Sequence, residues 1–378
     1  MPRQGGRAIL AADIGVGMIG ASPERGWAKL SHVPAVQSLA GLRLAAVLGS
    51  TRSSAEASAR TFGATRAYAE PADLFGDPAV DLVTVAVRVP AHRELILGAL
   101  AAGKHVYCEW PLGRDLAEAE ELTLAARDAG RTAVIGLQAR RSPALRHAGD
   151  LVRSGVLGRV LSARIISETI AFGPTIPAAE TYLEEPRNGA TLVTIHAGHA
   201  LDAASAVLGP LLDVQALTRR QFERVAVVGG MDPIARSTPD LILTQSSLEG
   251  GGALSVEIAG GRTRDALFRF EVIGDGGTLV LEGAAPRGFQ SSRLRLALNG
   301  LSEPTDEGEL TDLPDEAVNV GGVYAALRES IRTGSTATVG FDHAVRLTRF
   351  LRDLEASAKD GQRRLARGWP EHVAGSAG

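Results

Sequence analysis

The chain has 378 residues, 45% apolar and 22% charged, with a net charge of −3. That length holds two domains with sizeable cores, and the near-neutral charge leaves no electrostatic footprint for nucleic acid or an anionic membrane. No apolar run approaches a membrane span, the polar start Met1–Arg7 precedes no apolar signal region, and a cytoplasmic protein is expected.

The first third alternates. A short apolar run at 13–20 is followed by helical spacing at 27–41, and another apolar run at 42–50 by an Ala-rich helical stretch at 51–63. Then come a continuous apolar strand at 80–89, a helix at 91–103, a strand at 104–110, a helix at 115–130 and a strand at 132–138. Strands without polar alternation, separated by helices, predict a parallel sheet covered on both faces, with ligands at the carboxyl ends of its strands. After about Ser142 the pattern changes. A helix at 142–158 leads into segments at 159–171, 211–220, 240–250, 252–261, 267–283 and 292–300, several of them alternating and joined by Gly-rich turns. These predict an open, largely antiparallel sheet with one wet face. Two late helices are expected near Val323–Arg332 and Phe341–Lys359. The fold class is therefore α/β. Residues 8–140 are expected to form a doubly wound, dinucleotide-binding domain, 141–367 a substrate and oligomerisation domain, and 368–378 a flexible tail. The one cysteine, Cys108, excludes an intrachain disulfide and reads as a buried, inert thiol.

"GVGMIG" (15–20) matches a dinucleotide-binding glycine pattern literally. A helix opening at Gly15 would have to run through Pro23 and Gly26, which is costly. The better reading puts Ile14 to Ile19 in the strand and makes "GASPERGW" (20–27) the turn. Gly20 permits the tight turn, Ser22, Pro23, Arg25 and Gly26 form the loop whose backbone N–H groups face a pyrophosphate, and Trp27 starts the helix. A plain strand–turn–helix without ligand is the alternative. The second strand ends "VLGSTRSS" (47–54) with no acid for a ribose hydroxyl. Ser50, Thr51, Arg52 and Ser53 suit a 2′-phosphate instead, so NADP(H) is preferred over NAD(H); an ordinary helix cap is the alternative. Val87, Arg88 and Gln138, at later strand ends, complete the cofactor set with Glu109 and Trp110.

"VPAHRELILGALAAGKHVYCE" (89–109), "LQARRSPALRHAGDLVRSGVLGRV" (137–160), "HALD" (199–202) and "VYAALRESIRTGSTATVGFDHAVR" (323–346) resemble the glucose–fructose oxidoreductase / inositol dehydrogenase / MocA family. "GASPERGWAKLSHVPAV" (20–36) and the Trp of "EWP" are most similar to its subgroup containing the fungal galactose-pathway repressor. The resemblance implies a Rossmann domain, a second α/β domain whose open sheet forms a dimer or tetramer interface, and hydride transfer between nicotinamide and a sugar-like or cyclic alcohol or carbonyl. It also places His92 near the cofactor, with helix capping as the alternative. The family's Glu-Lys-Pro lysine is replaced here by Trp110. If His199 is the family histidine, Ile195 stands at the family's aspartate. Lys29, Lys104 and Lys359, the other lysine positions, offer no substitute.

Proton exchange then falls to His199 or His196, which share a helix face, with Tyr182 as a second donor. Either histidine can instead be a packing residue. Trp110 can stack on a sugar, wall the nicotinamide, donate one hydrogen bond or fill the domain junction. Arg140 and Arg141 are candidate substrate or phosphate contacts, Arg140 joining Trp110, Tyr182 and His196 in the substrate set. No metal is expected. The rival reading is a dinucleotide-binding sensor without turnover, acting through a protein partner.

Overall fold

The computed structural model describes residues 12–262, 266–284, 286–336 and 338–366. Residues 8–11 of the expected first domain, residue 367 and the expected tail at 368–378 lie outside the described residues.

The N-terminal half runs β1 (Ile14–Ile19), α1 (Trp27–Leu30), α2 (His32–Ser38), β2 (Leu42–Leu48), α3 (Arg52–Phe62), β3 (Arg66–Tyr68), α4 (Pro71–Gly76), β4 (Leu82–Val85), α5 (His92–Ala101), β5 (His105–Glu109), α6 (Leu116–Ala129) and β6 (Ala133–Gly136). Its strands form a parallel sheet in the order β3-β2-β1-β4-β5-β6. The order reverses between β1 and β4, which opens a crevice at their carboxyl ends. Every residue of β1 and β4 is buried, as their largely apolar runs require. The expected single helix over 27–41 is two helices, broken at Ser31, whose φ of −122° leaves the helical region. Its hydroxyl donates to Trp27 O at 2.8 Å, a local bond that competes with helix continuation. The short β3 and α4 carry too little pattern to read from sequence.

The remainder runs α7 (Pro143–Arg153), β7 (Val160–Glu168), β8 (Thr175–Pro177), α8 (Gly198–Leu208), β9 (Asp213–Arg219), β10 (Arg224–Val228), β11 (Met231–Ala235), β12 (Leu241–Ser247), β13 (Ala253–Ala259), β14 (Leu267–Gly274), β15 (Thr278–Ala284), β16 (Arg295–Leu298), β17 (Leu301–Glu303), α9 (Asp315–Thr333), α10 (Phe341–Asp360) and β18 (Arg364–Leu365). The large sheet is ordered β17-β16-β15-β14-β7-β13-β12-β9-β18. Only β7 and β13 pair in parallel; the other neighbours are antiparallel, as the alternation predicts. In β12 Ile242, Thr244 and Ser246 are buried while Leu243 and Gln245 face outward, and Leu243 lies opposite Leu217 on the open face. A small sheet, β11-β10-β8, stands apart. Among the described residues no helix is long and apolar enough to cross a membrane.

Helix α9 starts at Asp315 rather than near Val323. Its Val318, Val323, Tyr324 and Leu327 share a core with Val16, Met18, Leu44 and Tyr107 of the parallel sheet. Helix α9 thus packs back from the far end of the chain onto the parallel sheet.

Candidate functional site

At the end of β1, Gly20 adopts φ +102°, and a Cβ there would lie 2.2 Å from Ala86 O. Only glycine fits this turn. Gly15, the decoy, serves a different close approach at the other end of the strand, against Ala79 O. A cleft of about 530 Å³ opens beyond Gly20. Gly20, Ser22, Pro23, Ser50 and Val87 line it, joined by Gly49 and Ser54, which sequence reading passed over. The mixed backbone, hydroxyl and apolar lining, at the switch point of the sheet, fits a dinucleotide.

Other turn residues do less than expected. Arg25 is exposed and Gly26, at φ +111°, precedes α1; neither lines the cleft, nor does Trp27. Helix α1 has four residues, too few aligned peptides for a strong dipole at its start. Trp27 instead meets the His32 ring edge-on, 6.5 Å between centroids. After β2, Thr51 caps α3 and forms a reciprocal capping box with Ser54, and its hydroxyl also lies 3.2 Å from that of Ser53. The capping alternative therefore describes Thr51, whereas Ser50 faces the cleft. Arg52 is 71% exposed and pairs with Glu56 at 2.7 Å.

His92 caps the short 3₁₀ turn Val89–Ala91 through its backbone N–H, and its side chain presents no free nitrogen. Its Nε2 lies 3.0 Å from Val87 O and its Nδ1 3.0 Å from Pro111 O and 3.3 Å from Cys108 Sγ. It ties the end of β4 to the turn after β5, where the Trp110–Pro111 peptide is cis, and burial lowers its pKa. Cys108 is buried, and burial raises its thiol well above the usual range, as an inert thiol requires. Glu109 Oε1 accepts from His32 Nε2 at 3.0 Å.

Two of the four alternatives for Trp110, filling the junction and donating one hydrogen bond, describe its geometry. It is 6% exposed and its indole N–H donates to Thr194 O at 2.6 Å. It fills the junction and ties the end of β5 to the π-helical turn Val193–Ala197. That turn carries His196 and leads into α8, whose second residue is His199. Both histidines are buried. Burial lowers His196 to about 4; burial and the neighbouring His196 lower His199 to about 3. The expected titration near neutral pH is therefore corrected: both imidazoles are neutral there. His199 Nδ1 is sealed from water with no partner among the described residues, and Gln138 Oε1 shares that condition. His196 meets Phe172 edge-on at 5.8 Å.

Tyr182 lies on a short helical turn, Ala178–Glu184. The Arg88 guanidinium stacks on its ring, 4.4 Å from the centroid, and donates to Ala179 O, so the end of β4 meets the segment that follows β8 here. Burial raises the Tyr182 phenol pKa. Two residues on, Glu184 joins a buried cluster in which Arg236 bonds Glu184, Asp240 and the carbonyls of Phe172 and Gly173.

The expected substrate role of Arg140 is not what its geometry shows. It donates to both Asp202 oxygens at 2.7 and 2.8 Å and to Ser205, and Asp202 also holds His343 at 2.6 Å. The Asp of "HALD" was in view, but its partners were not. Arg141 donates to Gly322 O, and burial lowers it to about 10. Lys104 Nζ bonds Asp77 O and Val80 O at the opposite edge of the sheet, as its position before β5 predicts.

Residues 14–137 match the oxidoreductase family with an NAD-binding Rossmann fold, and residues 143–283 match the C-terminal domain of Gal80p. The chain is 30% identical to Dehydrogenase aclE of Aspergillus oryzae over 84% of this chain and 88% of that protein. It is 27% identical to the galactose/lactose metabolism regulatory protein GAL80 of Saccharomyces cerevisiae, over 73% of this chain and 68% of that one. A solved structure of levoglucosan dehydrogenase with NADH and L-sorbose superposes with a TM-score of 0.82 at 20% identity, covering 94% of this chain and 99% of the other.

Proposed function

The chain belongs to the oxidoreductase family with an NAD-binding Rossmann fold, and from that premise we propose that it transfers hydride between a nicotinamide cofactor and a sugar-like or cyclic carbonyl or alcohol. The observation that carries this reading is the cleft at the switch point, glycine-turned at Gly20, taken with the unpartnered, buried nitrogen of His199. A sealed imidazole nitrogen is costly to keep unless a ligand group completes it.

Ser22 and Ser50 would hold the phosphate and ribose groups of the cofactor, with Arg52 beside Ser50 favouring NADP(H). When bound, the nicotinamide supplies or receives the hydride. The chain's own groups are neutral His196 and His199, each with one donor and one acceptor nitrogen, and Tyr182, held protonated by burial. Near neutral pH the two imidazoles are unprotonated and can accept a proton, as alcohol oxidation requires, while Tyr182 is the protonated member of the set and the one that can give a proton in carbonyl reduction. A homo-oligomer formed through the open sheet, with Leu217 and Leu243 in its face, is part of the same proposal.

The second reading is a cofactor-binding sensor that acts through a protein partner. Trp110 favours it, because its only proton donor is committed to Thr194 O. Parallel titration with NADPH and NADH, followed by a turnover screen over sugars, polyols and cyclic ketones with wild type and His199→Ala, separates the two. Turnover lost in the variant with cofactor binding kept supports the enzyme. Tight binding without turnover on the whole panel supports the sensor, and failure to bind either cofactor refutes both.

A further inference from the structure

Beneath the carboxyl end of β5 a line of polar groups runs through ground that a parallel sheet and its helices usually fill with hydrocarbon. His32, Tyr324 and Thr84 are all fully buried. Glu109 Oε1 is 3.0 Å from His32 Nε2, His32 Nδ1 is 3.0 Å from the Tyr324 hydroxyl, and that hydroxyl is 2.8 Å from Thr84 Oγ1. A carboxylate only accepts, so His32 Nε2 carries a hydrogen and donates to Glu109. Nδ1 then accepts from the Tyr324 hydroxyl, which accepts in turn from Thr84. The chain of donors points one way, toward the carboxylate.

The imidazole is also wedged by rings. Tyr107 lies 5.0 Å from it, Tyr324 5.7 Å and Trp27 6.5 Å, centroid to centroid. Elements α1, β5 and α9 thus pack rings around an imidazole that is itself fully buried, while its partner Glu109 is 13% exposed, at the edge of the sheet where ligands bind. Core stability does not call for such a line, since apolar side chains of the same volume commonly hold a core as well. What a satisfied buried network provides is a single geometry.

We propose that His32 is a positioning residue for the cofactor: it holds the Glu109 carboxylate in the pose from which it accepts hydrogen bonds from the ribose hydroxyls on the nicotinamide side. The inference rests on the dinucleotide reading above. Strand order supplies the assignment to that half. Ser50 follows β2 and Glu109 ends β5, three strand positions away, roughly 14 Å, so one mononucleotide end cannot reach both.

The test is binding rather than turnover. Asparagine at position 32 reproduces only the Nδ1 side of the ring, and glutamine reproduces the Nε2 donor. Wild type, His32→Asn, His32→Gln, Glu109→Gln and the double variant His32→Asn/Glu109→Gln are titrated with NADPH and NADH, and with adenosine 2′,5′-bisphosphate and adenosine monophosphate as the matching half-ligands. His32→Asn is expected to bind the dinucleotides roughly tenfold more weakly, the scale of one lost charge-assisted hydrogen bond, with half-ligand affinity unchanged. His32→Gln retains wild-type affinity, and His32→Asn adds nothing in the Glu109→Gln background. Equal losses for dinucleotide and half-ligand, no loss in His32→Asn, or additive losses in the double variant would each overturn the assignment. Wild type that binds neither dinucleotide refutes the cofactor reading itself and this inference with it; wild type that binds while His32→Asn is unmoved overturns this inference alone.

Discussion

Gly198→Ala puts the seating of Trp110 to a direct test. Gly198 sits at φ −55°, ψ −53°, an ordinary helical conformation. On propensity alone, alanine there would stabilise by about 0.8–1 kcal/mol. Its Cβ, however, would lie 2.5 Å from Trp110 Nε1 and 2.9 Å from Cε2, about 1 Å inside normal contact. The indole is buried and bonded to Thr194 O at 2.6 Å, so any movement away from the new methyl group strains or breaks that bond. Overpacking costs about 1–3 kcal/mol, and pushing the N–H out of reach costs about 1 kcal/mol more. After the helix gain is subtracted, a net loss of roughly 1–3 kcal/mol is expected. Urea denaturation reads it as a lowered midpoint at constant slope. In a Trp110→Leu background the clash is gone, and the same substitution should be neutral or stabilising. A Gly198→Ala chain as stable as wild type, with Trp110 present, would refute the reasoning.

Arg52→Ala should weaken NADPH far more than NADH in parallel titrations, and equal losses would sink the 2′-phosphate assignment. Burial holds His196 near 4 and His199 near 3 against an ordinary 6.5, so the unfolded chain takes up these protons first. Stability is full above about pH 6.5 and falls as the pH drops toward those values; denaturation midpoints across pH 7 to 4 should show a shallower decline in His196→Gln/His199→Gln. Arg236→Met strands Glu184 and Asp240 in the core, and a loss of about 3–5 kcal/mol is expected. A loss below 1 kcal/mol in the same urea assay would show that those carboxylates find other partners.

Much of the first half was open to reading before any coordinates. Pro23 and Gly26 forbid a helix opening at Gly15, so the turn falls at Gly20. In a parallel sheet every strand presents its carboxyl end to the same edge, so Ser22, Ser50 and Val87 could be assigned to one cleft from their strand positions alone. Period-two alternation likewise disclosed the large open sheet. What chain position cannot disclose is which distant side chain stands opposite. Arg140 looked like a substrate contact because Asp202 and His343 reach it only through folding. His196 and His199 looked like neutral-pH bases because a pKa belongs to surroundings, and burial moves both down. The Thr194 carbonyl that accepts from the Trp110 N–H lies more than eighty residues on, and His32, unremarked in the sequence, bonds Glu109 on one ring nitrogen and Tyr324, of a helix nearly three hundred residues on, on the other. Local pattern specifies elements and their direction, because backbone geometry repeats over a few residues; it is the packing of remote elements that decides which polar groups are satisfied, which stay neutral and which remain open to a ligand.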